Sequence, residues 1–314
     1  MNKKEQVLLL KDFLETRNLE QCRFQELQLA LENVMDGNIG SSALYHLDNL
    51  CYEVFEMLPK NIVQEKHLFR FAGFPPQYED EERKFEKEWD GDDCPIIEDI
   101  GNNMMTLSSP KSFNDPMDPL IKAWIERRKV HPDDKVDKVL YQLIEKTFDK
   151  IRIGCLVDPL KNKRFCRGEL PKIEDCNPLM WAHYAKSHKG VCIQYKVKPT
   201  NLINDSNRII RMLDVDYNKV FPLEGNIPFT DSLVVKANCW SYEKETRLIL
   251  YSRKKEKDYC HLPNFEIEAV YMGCRIDNEK RDYIKGMLKG SKIKLFQMSF
   301  SDNDITKLKP NKVN

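Results

Sequence analysis

The sequence predicts an α+β protein, with mixed, largely antiparallel sheets flanked by helices and preceded by a helical N-terminal extension. Three observations carry this expectation. Short runs of apolar and β-branched residues recur from about residue 66 to 300. Helical patterns fall between them without a regular strand–helix–strand rhythm. Purely helical spacing is confined to the start of the chain. The boundaries that follow are 1–60 for the helical extension, 66–300 for the core domain and 301–314 for a C-terminal tail.

Taken in order, Val7, Leu8, Phe13 and Leu14, then Leu27, Leu29, Ala30, Leu31 and Val34, then Leu47, Leu50, Val54 and Phe55 repeat at helical spacing and predict three helices. Gly37, Gly40 and Ser41-Ser42 separate the second from the third, and Pro59 follows the last. Residues 67–72 read as a strand ended by Gly73 and Pro75-Pro76, and 78–103 as a charged, solvated helix and loop. A strand at 104–107 precedes helical patterning over 119–149, which His131-Pro132-Asp133-Asp134 interrupts with a fresh N-cap. Further strands are expected at 151–157, 191–195, 213–217, 246–251, 269–272 and 293–296, with a helix over 278–288.

The chain has 314 residues and is 41% hydrophobic, enough to bury a sizeable core. Fifty basic residues balance 50 acidic ones, so no global field draws it to nucleic acid or to a membrane surface. No apolar run approaches the roughly 20 residues that cross a bilayer. The N-terminus lacks the apolar block of a signal peptide, so a cytoplasmic location is expected. Ten cysteines are scattered without a C-x-x-C pair, which favours free thiols. Cys166, Cys176 and His183 match no zinc spacing, and no metal is expected.

Three runs are hard to explain as scaffold alone. In the first, Ser108 to Pro116, Asn114 and Asp115 serve a turn, while Ser108 and Ser109 offer hydroxyls to a turn or to a ligand's ribose or phosphate. In the second, Asn177-Pro178 opens a helix and Gly190 closes it. Trp181, Tyr184, Ala185 and His188 then form one stripe, which either packs on the sheet or walls a pocket for a planar polar ligand. His183 and His188 stand about 140° apart on such a helix and cannot chelate one metal as an i,i+4 pair would. In the third, Trp240 leads to Glu243, Glu245 and Arg247, which share one face of a strand. That face is either a solvated ion-pair ladder or the acidic side of a site.

Together the motifs S-S-P-x-x-F-N-D-P, L-M-W-x-H-Y-A-x-x-H-x-G and W-x-Y-E-x-E-x-R resemble the signature of the bacterial domain-of-unknown-function family 2971. The resemblance covers roughly residues 66–300 and leaves the first 60 outside. Thr246 departs from the pattern, where an aromatic is common. The order of parts is also similar to the ADP-ribosyltransferase superfold. That likeness implies Arg70 as the anchor of NAD, Ser108 or Ser109 as ribose and loop support, Tyr184 as a stacking ring and Glu245 as the catalytic acid, with Glu243 completing an E-x-E pair and Arg247 orienting the acids. Asn114, Asp115, Trp181, His183, His188 and Trp240 would complete the cofactor-binding set.

The resulting expectation is an effector that uses NAD as substrate, either transferring ADP-ribose to a protein or nucleic-acid acceptor or hydrolysing the cofactor, as a toxin or antiphage component. A non-catalytic nucleotide-sensing or interaction module, recruiting a partner through the N-terminal helices, is the alternative. A metal-dependent nuclease is the third.

Overall fold

Strand β6 (Glu245–Ser252) is buried at every position, and in the computed structural model the sheet is assembled around it. The structure describes residues 41–58, 65–75, 94–115, 117–119, 122, 145–161, 170–199, 207–219, 230–254, 259–263 and 265–313. The first two expected N-terminal helices, the acidic run up to residue 93, most of the 119–149 pattern with its cap at 131–134, and Cys166 lie outside the described residues.

The run Thr-Arg-Leu-Ile-Leu-Tyr suits a strand covered on both faces, because bulky side chains pack well on a pleated surface. Antiparallel β3 (Ile151–Val157) pairs with β6 over its full length, and β5 (Arg208–Asp214) takes the other edge. The far edge of β3 is shared. There β2 (Met105–Ser108) meets it at Ile153 and β1 (Lys66–Ala72) meets it at Val157. From this fork one arm runs through β1, β4 (Val191–Val197), β8 (Glu266–Met272), β9 (Lys294–Phe300) and β10 (Leu308–Lys312), and the other through β2 to β7 (Tyr259–Leu262). The ten strands pair antiparallel except β8 with β9, which are parallel and linked by helix α5 (Asn278–Leu288). The mixed, largely antiparallel α+β architecture is therefore the one the sequence predicts.

Side chains alternate along each strand, so the sheet sorts its residues between two faces. On one, Leu68, Ile193, Leu248, Leu250 and Val270 pack with Ile96, Ile97 and Ile100 of α2 (Pro95–Asn102) and with Ile284 and Leu288 of α5. On the other, Phe69, Phe71, Val157 and Cys192 lie under Met180 and Trp181 of α3 (Leu179–His183). Helix α1 (Ser41–Met57) docks through Phe55, whose ring stacks on Tyr251 at 5.1 Å and 20°. Its last carbonyls are orphaned by the helix geometry and are satisfied from β5: Arg211 donates to Glu56 O at 2.9 Å and to Leu58 O at 3.1 Å.

Three expectations are corrected. The helix over 177–190 stops at His183, because Lys186, Ser187 and His188 take left-handed φ values of 49°, 54° and 69°. The strand expected at 213–217 ends at Asp214, and Asp216 forms only an isolated parallel bridge with Val235. The segment from 301 onward, expected as a tail, contributes β10, which extends the sheet by pairing with β9. Among the described residues Cys51, Cys94, Cys155, Cys176, Cys192, Cys239 and Cys274 are free thiols.

Candidate functional site

A cavity of about 590 Å³ lies on the Trp181 face of the sheet, floored by the start of β6 and the end of β3. Local chemistry fixes that floor. A 3-10 turn, Asn238–Glu243, ends at Lys244, whose left-handed conformation (φ 48°, ψ 45°) redirects the chain into β6. The kink is held from both sides: Lys244 Nζ donates to Pro159 O at 3.0 Å, and Lys244 O accepts from Asp158 N at 3.0 Å. Next along, Glu245 N donates to Tyr217 Oη at 2.9 Å, and Lys161 Nζ donates to Val215 O and Glu245 O at 2.8 and 2.9 Å. Helix α4 (Asp231–Val234) leads into the Asp216–Val235 bridge, which, continued by Lys236 N donating to Asp216 O at 3.1 Å, sets the position of Lys236.

These elements bring three carboxylates around two cations. Lys236 Nζ lies 2.7 Å from Glu243 Oε2, 3.0 Å from Asp118 Oδ2 and 3.4 Å from Glu245 Oε2. Arg247 donates from Nε to Glu245 Oε1 at 2.8 Å, from Nη2 to Asp118 Oδ1 at 2.5 Å, and from Nη1 to Leu233 O at 2.6 Å. Tyr184 donates its hydroxyl to Glu243 Oε1. The expected single strand face is corrected: Glu243 ends the 3-10 turn before the kink at Lys244, and only Glu245 and Arg247 share a face of β6, while exposures of 2% for Glu243, 4% for Glu245 and 0% for Arg247 show a buried group and not a solvated ladder.

Burial raises both glutamates, and unequal neighbouring charges drive them apart. Desolvation, reinforced by the neighbouring Glu245 charge, pushes the Glu243 carboxyl up, with Lys236 and Tyr184 opposing. For Glu245 burial also acts upward, but Arg247 and Lys236 outweigh it and hold the group down at about 2. Desolvation would strip the Lys236 ammonium, yet Glu245, Asp118 and Glu243 reverse that and push it up, so it stays charged. Burial, then the bond to Glu243, raises the Tyr184 phenol, which stays a donor. Burial likewise pushes the Cys155 thiol well up, leaving a poor nucleophile beside the acids.

Aromatic and sulfur-bearing side chains make the walls: Phe71, Phe113, Met117, Met180, Tyr184 and Trp240. The floor cations sit against them, Lys236 Nζ 5.2 Å from the Trp240 ring centre and the Arg247 guanidinium 5.7 Å from that of Phe113. At the rim, exposed His183 places Nδ1 3.2 Å from Tyr242 Oη and its ring edge-on to Trp240 at 5.9 Å.

Of the residues singled out in the sequence, Glu243, Glu245, Asn114, Asp115, His183, Tyr184 and Trp240 line this one cavity, with Arg247 bonded to its floor. Asn114 and Asp115 also hold their own turn, accepting from Asp115 N at 3.0 Å and Met117 N at 2.8 Å. The other five lie elsewhere. Arg70 alternates with Phe69 and Phe71, so it points through the opposite face to Asp99 Oδ2 (3.2 Å) and Thr106 O (2.6 Å). Ser108 pairs within the sheet, and buried Ser109 caps a 3-10 turn by accepting from Lys111 N at 3.3 Å. Trp181 is core, edge-on to Phe71 at 5.1 Å. His188 lies parallel to Trp181 at 6.4 Å, its buried Nδ1 without a hydrogen-bond partner. Among the described residues no group of three or more His, Cys, Asp or Glu is placed to hold a metal ion.

Sequence reasoning missed Lys236, which ties the three acids together, and Asp118, the acid that bridges Lys236 and Arg247. The repeated Asp-Pro of Asp115-Pro116-Met117-Asp118-Pro119 is a signal for the second. Lys236 has none, since its role exists only through convergence of distant segments.

Residues 180–248 match the family model described as Protein of unknown function (DUF2971). The matched segment supports the family resemblance over the third motif and all but the first residue of the second, and contains His183, Tyr184, Lys236, Trp240, Glu243, Glu245 and Arg247; the Ser108–Pro116 motif lies outside it. No curated protein matches the chain, and no solved structure does. No helix among the described residues is long and apolar enough to cross a membrane.

Proposed function

We propose that this cavity binds the nicotinamide end of NAD and cleaves its N-glycosidic bond, delivering ADP-ribose to water or to an acceptor hydroxyl. The observation that carries the reading is one aromatic-walled cavity floored by two adjacent glutamates whose surroundings drive their ionisation in opposite directions. In the reaction the C1′–N bond breaks and its electron pair passes to the ring nitrogen, neutralising the pyridinium. Positive charge then develops on the ribose, where the fixed Glu245 charge stabilises it more in the transition state than in the ground state. Water adds to C1′ and gives up its proton to Glu243, which the lysine and tyrosine hold in place. Asp118 and Arg247 position Glu245 and Lys236 and do not touch the reacting atoms.

The test is release of free nicotinamide from NAD by the full chain, compared with Glu245→Gln and Arg70→Ala. Loss on the order of 100-fold or more is expected for Glu245→Gln. Folded Arg70→Ala keeps its turnover, because Arg70 serves the opposite face. Absence of nicotinamide release from the native protein would sink the proposal.

One observation favours a second reading. Both oxygens of Glu243 and of Glu245 already accept hydrogen bonds from protein donors, as in a self-sufficient polar network. A nucleotide-sensing module would then bind in the same cavity without turnover, and binding with no product over long incubation distinguishes it.

A further inference from the structure

The cavity's charge narrows the chemistry of its ligand, an inference that rests on the same site as the proposed function. Four carboxylates line it, those of Asp115, Asp118, Glu243 and Glu245, against one ammonium, Lys236. Three of those acids already surround that ammonium, so it has little attraction left for an anion. Arg247 is turned into the floor, its guanidinium bonded to Glu245, Asp118 and a backbone carbonyl. Above this acidic floor the rings of Trp240, over which Lys236 Nζ sits at 5.2 Å, and Tyr184 line the wall and offer aromatic surface to a flat guest. Low local dielectric strengthens whatever charge interaction the guest makes.

We infer that the cavity is selective for a planar ring bearing a fixed positive charge, such as an N-alkylated or N-glycosylated pyridinium, and rejects the neutral ring of the same shape. Anionic groups attached to such a ring, phosphates included, lie outside the cavity, beyond the His183–Tyr242 rim. For a nicotinamide nucleotide this means that the oxidised form is taken and the uncharged dihydropyridine form is not. The two interactions that discriminate, attraction to the acids and cation–π contact with the walls, act in the same direction.

The measurement is calorimetric binding of 1-methylnicotinamide, a permanent cation, and of nicotinamide, its neutral counterpart, to the full-length protein. The cation is expected to bind about tenfold tighter or better. Glu243→Gln, and independently the rim variant Asp115→Asn, should each reduce that ratio by weakening the cation while leaving the neutral ring unchanged. Asp115 belongs to a surface turn, so its variant keeps the test valid if the floor variant does not fold. Equal affinity for the two compounds, failure of both to bind, or a ratio unmoved by either folded variant would overturn the inference. Cation-selective binding without nicotinamide release from NAD would refute the catalytic reading alone. Release from NAD without any preference for the cation would refute this inference alone.

Discussion

Glu243 and Glu245 are separated by a single residue, yet burial and neighbouring charges give them opposite contributions to stability. The folded pKa of Glu245 is depressed from 4.5 to about 2, so its stabilising contribution is complete above about pH 4.5 and disappears as pH falls through about 2. Its size is on the order of 3 kcal/mol. Urea unfolding between pH 2 and 5 should show this slope, and Glu245→Gln should flatten it. Glu243 has the reverse sign: its folded pKa is raised, so its contribution is present at low pH and is lost as pH rises through that folded value. Glu243→Gln therefore raises the unfolding midpoint at alkaline pH, while removing the proton acceptor we propose for turnover; an unchanged or lowered midpoint counts against the assignment. It also balances the cluster, leaving two carboxylates, Asp118 and Glu245, with two cations, Lys236 and Arg247. Removing Arg247 does the opposite. Arg247→Met strands Asp118 and Glu245 in a buried site and should cost about 3–5 kcal/mol in chemical denaturation. Asp115, Glu243, Glu245, Tyr184 and Trp240 of this site were legible from their motifs, whereas Asp118 was not. Lys236 was not, because a lysine in sequence carries no sign of the three acids that will enclose it.

At the scale of elements, strong local patterns gave the right boundaries. The strand Ile151–Val157 and the helix Asn278–Leu288 begin and end where alternation, an Asp277 cap and helical spacing place them. The 177–190 helix misled because its opening signal is real, with Asn177 Oδ1 accepting from Leu179 N at 2.9 Å, while its end depends on non-glycine residues forced into left-handed backbone. That forcing has a packing cause. Gly190 lies against the β1 end, where an added Cβ would meet Ala72 O at 2.2 Å, and Gly273 lies against His188, where it would meet His188 O at 2.1 Å. Gly190→Ala should therefore cost about 3 kcal/mol or more in unfolding free energy. Gly286→Ala on α5 meets nothing within 4 Å and should instead stabilise by about 0.5–1 kcal/mol. Similar effects of the two substitutions would contradict this packing account. Strand β10 escaped the sequence reading because Leu-Lys-Pro-Asn-Lys has little strand character; its edge position tolerates Pro310.

At the scale of the whole molecule, the fork at β3 does the assembling. It brings the loop around Asp118, the end of β3, the residues after α3 and the start of β6 to one hollow, although they span residues 113 to 245 of the chain. Arg70 shows why sequence could not complete this picture: alternation separates it from Phe71, but only the packed sheet says which of the two faces the cavity. In the proposed reaction a nicotinamide nucleotide occupies this hollow and Glu243 takes the proton there. The most direct test measures NAD binding and nicotinamide release in parallel on the native chain and on Glu243→Gln. The account predicts that the variant still binds NAD, weakened by no more than about tenfold or about 1.4 kcal/mol through loss of one carboxylate beside the cationic ring, while its release at saturating NAD falls on the order of 100-fold or more. Release at the native rate by the folded variant, or no binding of NAD by the native protein, would contradict it.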